Sequence, residues 1–101
     1  NPITPEELKR TTFEGKKLYS LHQEVLAEFR DGLWIAPTGK CLFRIEDDRI
    51  ANMLGETVFH LRRDPQSGSV NLLDHRKSLV KRIGRDGMVY DARNRTQGVL
   101  K

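Results

Sequence analysis

A chain of 101 residues, 37% hydrophobic and 32% charged, has the size and composition of one globular domain spanning 1–101, with enough core to fold without staples. No apolar run approaches the ~18 residues of a membrane span and no signal-peptide pattern is visible, so a cytoplasmic protein with no membrane partner is expected. One cysteine, Cys41, excludes an internal disulfide, and with three scattered histidines it offers no zinc spacing, so neither a metal nor a cofactor is expected.

Thr4-Pro5-Glu6-Glu7 reads as a helix start. The Thr4 hydroxyl can accept from the N3 amide, Pro5 fits the first turn, and two acids there suit the helix dipole. This helix is expected to end near Thr11-Thr12. Next, Leu18, Leu21, His22, Val25, Leu26 and Phe29 follow an i, i+3, i+4, i+7 spacing. That stripe predicts an amphipathic helix over about 14–30, stopped by Gly32.

After Gly32 the period changes. Two apolar runs, 33–36 and 41–45, flank Pro37-Thr38-Gly39-Lys40 and predict a β-hairpin. Asp47 or Asp48 is placed to cap a short helix containing Ile50, Ala51, Met53 and Leu54, closed by Gly55. The remainder reads as an antiparallel meander, with strands at 57–62, 70–73, 79–83, 88–91 and 98–100. Asp64-Pro65-Gln66-Ser67-Gly68 and Gly84-Arg85-Asp86-Gly87 are strong turns. The turns at Asp64 and Asp91 look loosely alike, which is shared hairpin chemistry rather than a repeat. The expected fold class is α+β, with N-terminal helices packed on a small antiparallel β-meander. The start at Asn1 rather than Met suggests a chain processed or cut from a longer polypeptide.

The net charge of +4 is unevenly spread. Residues 60–101 hold ten of the eighteen Lys and Arg but four of the fourteen acids, giving +6 against −2 for residues 1–59. A positive end attracts polyanions. On the 57–62 strand His60 and Arg62 share a face, and one register adds Arg82, while Leu79, Lys81 and Ile83 share the opposite face of theirs. With Arg63, Arg76, Lys77 and Arg85 in flanking loops, Arg62, Arg82 and these four form a six-residue candidate nucleic-acid-binding set that contacts phosphates. Tyr90 is the single aromatic residue of the meander's basic strands and turns beyond 62, so contact with the backbone is expected over base stacking.

Two further classes compete. A metal-independent ribonuclease needs a base, an acid and cations, and His60 and His75 are its catalytic candidates, with Arg62, Lys81 and Arg82 as charge stabilisers. The expected layout is similar to that of small bacterial ribonuclease toxins, but no residue string of theirs is present and no catalytic residue is carried over. A protein–protein module of a phage, plasmid or secretion assembly, or a homodimer, would use the 18–29 stripe as its partner surface.

Other motifs carry less. Ile50-Ala51-Asn52-Met53-Leu54-Gly55 resembles the start of a helix-turn-helix, but Thr57-Val58 follows too soon for a recognition helix. Thr38-Gly39-Lys40 lacks the earlier Gly and following Ser or Thr of a phosphate loop. Cys41 lies in an apolar run and reads as a buried thiol, and Glu46-Asp47-Asp48 reads as a helix N-terminus rather than a cation loop.

Overall fold

The computed structural model describes residues 4–101. Helix α1 (Pro5–Thr12) forms as its sequence predicts: Thr4 has an extended backbone, and its Oγ1 accepts from the Glu7 N–H at 3.2 Å. Its apolar side points Leu8, 5% exposed, into the protein core, and Phe13 follows it inward.

Everything after α1 is β structure. The strands are β1 (Lys17–Ser20), β2 (Val25–Arg30), β3 (Leu33–Ile35), β4 (Cys41–Glu46), β5 (Arg49–Asn52), β6 (Thr57–Arg63), β7 (Val70–Leu73), β8 (Leu79–Ile83), β9 (Met88–Asp91) and β10 (Thr96–Leu100). Each pairs antiparallel with its sequence neighbours, and β1 pairs with β10 (Leu18 opposite Leu100) to close a ten-stranded barrel. The α+β expectation is therefore corrected: among the described residues one short helix caps a closed barrel, and no layer of helices covers an open sheet.

The correction has two local causes. The 18–29 stripe is two strands, not a helix. Ser20 turns the chain: its Oγ accepts from the His22 and Glu24 N–H groups, both at 3.1 Å, and Gln23 takes a left-handed φ of 64°. Leu18, Ala27 and Phe29 then face inward, while Leu21, Val25 and Leu26 are exposed. Two short strands around a four-residue turn reproduced the helical spacing by coincidence. The predicted helix after Asp47-Asp48 is likewise a strand: those two residues form the β4–β5 turn, with Asp47 at φ 40°, and Ile50 sits opposite both Ile45 and Phe59. The hairpin at β3–β4 and the meander strands from β6 onward form as expected.

Period-2 alternation fills the barrel. Phe29, Ile45, Ile50, Leu61, Leu72, Ile83, Val89 and Leu100 point inward and meet Leu8 and Phe13 from above. A tilted aromatic column, Phe13–Phe29–Trp34–Phe43, has ring centroids 4.9–5.3 Å apart. Antiparallel order gives the barrel two distinct ends. The helix end holds α1 and the turns β2–β3, β4–β5, β6–β7 and β8–β9. Glu14 ties it down by accepting from the Asp31 and Gly32 N–H groups at 2.6 and 3.1 Å. The open end holds the other five turns.

Candidate functional site

The six expected cations do not converge. Arg62 and Arg82 project from the outer wall in one row, flanking Asn71, because Arg62 pairs with Asn71 and Asn71 with Arg82. The Arg82 guanidinium lies 4.3 Å over the Tyr90 ring and donates to Asn94 Oδ1. Arg63 and Arg85 are at the helix end, where with Lys16 they line a pocket of about 230 Å³ under α1. Arg76 and Lys77 occupy the β7–β8 turn at the open end. None of the six is paired with a carboxylate among the described residues, whose ion pairs involve Arg30, Arg44, Arg49 and Arg95. His60 stands on the outer wall beside Leu73, and His75 on the β7–β8 turn. The register expected for His60, Arg62 and Arg82 thus forms, while the loop cations separate to opposite ends.

A different site lies inside. The barrel encloses a cavity of about 320 Å³. Its walls are Phe13, Leu18, Leu26, Phe29, Trp34, Leu72, Ile83, Val89, Gly98 and Leu100, with Lys81 and Gln97 as the polar residues. Phe13 and Phe29 close it toward the helix end. Leu26 and Gln97 belong to the open-end halves of their strands, and Lys81, at the centre of β8, reaches Gln97 to complete the mouth.

Lys81 takes an inward position because it is opposite Leu72 on one side and Asp91 on the other. An inward lysine usually has an anionic partner, yet the Asp91 carboxylate is held elsewhere. Its Oδ1 accepts from the Arg93 and Arg95 N–H groups, each at 2.9 Å, and its Oδ2 from Arg95 Nε at 3.2 Å. The Lys81 ammonium instead donates to Gln97 Oε1, whose strand bulges there. The cavity mouth therefore carries a cation whose attached partner is a neutral amide.

The rim around this mouth is built from one repeated device. In the turns beginning at Ser20, Asn52, Asp74 and Asp91, the first side chain accepts from the N–H groups two and four residues on. The fourth residue has positive φ in each: Gln23, Gly55, Lys77 and Asn94. The β3–β4 turn has the same backbone bonds, with Ala36 first and Gly39 fourth. This is the three-to-five-residue hairpin with its left-handed bulge. The Ser78 N–H, with that of Arg76, lowers the Asp74 carboxyl below its ordinary 3.8, and the Arg95 and Arg93 N–H groups lower Asp91 likewise. The Asp64 turn is one residue longer, so its likeness to that at Asp91 stops at the first side-chain bond.

The rim also gathers the exposed apolar side chains. Leu21, Val25, Leu26, Met53, Leu54 and Leu79, the large hydrophobic residues exposed among those described, are all in open-end turns or the first residues after them. Charge follows the same axis. The open-end turns, counted from their first residues, carry Lys40, Arg76, Lys77, Arg93 and Arg95 against Glu24, Glu56, Asp74 and Asp91, whereas the helix-end turns carry Asp31, Asp47, Asp48, Asp64 and Asp86 against Arg85, with Lys16 and Arg63 beside them.

Lys81 was visible in the sequence as the charged member of the apolar face Leu79, Lys81, Ile83. Its significance needs barrel closure, which gives that face an interior. Gln97 and Trp34 carried no such signal, and Leu21 and Leu26 were legible only as part of the 18–29 stripe. Comparison of the chain with protein-family models, curated proteins and solved structures found no match.

Proposed function

We propose that the barrel is a binding protein for a small amphiphile with an apolar body and one anionic head group, such as a medium-chain fatty acid. The observation that carries this reading is the apolar cavity with a carboxylate-free lysine at its mouth. Its volume falls in the range of small-molecule sites, roughly 300–1,000 Å³. An acyl chain entering it leaves water at a gain of about 25 cal/mol per Å² of apolar surface. A carboxylate at the mouth replaces Gln97 as the partner of Lys81 and forms a charge-assisted hydrogen bond, the stronger kind.

Trp34, the single tryptophan, is part of the cavity wall and reports occupancy directly. Titration with dodecanoate is expected to change its fluorescence saturably, with dodecanol binding more weakly. A linear, non-saturating response to both would refute the reading.

A second reading keeps the sequence expectation of a nucleic-acid ligand. It is favoured by the outer-wall row of Arg62, Asn71 and Arg82, which sets two guanidinium groups in register on neighbouring strands. The two guanidinium groups, neither paired with a carboxylate among the described residues, suit phosphates. This reading expects duplex binding that weakens steeply with salt and is lost in Arg62→Glu/Arg82→Glu.

A further inference from the structure

We propose that the open rim docks the barrel on an anionic lipid bilayer. The inference goes beyond the cavity reading and rests on different residues. Leu54 is 85% exposed, Leu21 60% and Met53 47%, each at the tip of a hairpin turn. Beside them, Arg76, Lys77 and Arg93 stand on neighbouring turns of the same end, without carboxylate partners among the described residues.

Apolar tips interleaved with cations are the two components of peripheral membrane attachment: side chains that enter the headgroup boundary and charges that attract anionic lipid. No spanning element is needed for this. The wall is unsuited to the hydrocarbon core, since its outward rows carry Glu28, Arg30, Arg44, Arg62 and Arg82. The contact is therefore end-on. Charge complementarity selects the bilayer over a second copy of the chain. An end-to-end two-fold dimer would set the cationic turns of one rim against those of the other. The opposite end sets the acids of its turns beside Lys9, Arg10, Lys16, Arg63 and Arg85 and, among the described residues, presents no exposed large hydrophobic tip, so attachment is through the open rim.

Flotation of the full chain with phosphatidylcholine vesicles, with and without about 30% phosphatidylserine, tests this. The expected result is flotation with the anionic vesicles, falling as salt is raised. Leu54→Glu and Arg76→Glu/Lys77→Glu should each lower the partition coefficient at least tenfold, while Arg10→Glu on α1 leaves it unchanged. The proposal is overturned by absence of flotation at low salt. It is equally overturned by flotation that both rim variants retain, or by a dimer in light scattering that Leu54→Glu dissolves. The Trp34 titration contains no vesicles, so either reading can fail alone.

Discussion

Lys81 and Gln97 meet across the mouth of the barrel cavity although strand β9 runs between theirs, and the ammonium is satisfied there by a neutral amide. A bound carboxylate competes with that amide for the same donor. Replacing Lys81 by Met keeps the length and apolar stem of the side chain and removes the charge. Affinity for dodecanoate should fall roughly tenfold or more, the worth of a hydrogen bond to a charged group. Affinity for dodecanol should hold. Equal losses for both would place the effect in packing and not in the ammonium.

The turn acids set an acid limit on the rim. The carboxyls of Asp74 and Asp91 titrate below their ordinary 3.8 because backbone N–H groups bond the charged form. A lowered folded-state pKa means that their contribution is complete above the unfolded value and is lost as pH falls below 3.8 through the folded one. Asn52 already performs the same capping without a charge. Asp74→Asn/Asp91→Asn should therefore match the wild type near pH 6 and show a shallower fall in urea midpoint between about pH 4 and pH 2. Parallel curves for the two proteins would contradict this account.

Gly98 leaves no room for a side chain. A Cβ there would come 2.3 Å from the Tyr19 carbonyl oxygen, a backbone atom fixed by the β1–β10 pairing. Gly98→Ala should cost about 2 kcal/mol or more, as overpacking against a rigid neighbour does. Gly15 differs: its φ is +77° but nothing lies within 4 Å of a Cβ. Gly15→Ala should cost about 1 kcal/mol, the backbone strain alone. Chemical denaturation of both variants gives the comparison.

Ile50 is fully buried, at 0% exposure, between Ile45 and Phe59. Ile50→Ala should destabilise by about 2–5 kcal/mol, from lost transfer energy and the void left behind. The same change at Leu54 should move stability by about 0.5 kcal/mol or less. Thermal melts separate the two outcomes.

Much of the fold was legible where turn chemistry was explicit. Pro37-Thr38-Gly39, Asp64 to Gly68 and Gly84 to Gly87 marked three hairpins correctly, and Thr4-Pro5 marked the helix. The misreadings fall where a short turn interrupts an apolar run, at Ser20 to Gln23 and at Asp47-Asp48. Ser20-Leu21-His22-Gln23 turns through a serine side chain and a left-handed glutamine, so apolar residues on both sides ran together into a false stripe. Closure itself was hidden, because the pairing of Leu18 with Leu100 joins opposite ends of the described chain and no local pattern encodes it. The charge split suffered the same fate. Arg63 and Arg76 look like neighbours in a basic C-terminal half, but β7 carries them to opposite ends of the barrel. The polarity that emerges runs along the barrel axis, not along the chain.

The ring is fastened once. Nine of its pairings join strands that a turn or short loop already holds together, whereas β1 and β10 are joined only by their ladder, extended by the reciprocal bonds of Lys17 and Lys101. The two edges of this clasp supply Leu18, Gly98 and Leu100 to the cavity wall. Parting them would unzip the chamber lengthwise, giving a guest too long for the mouth a side door while the other strands stay in register.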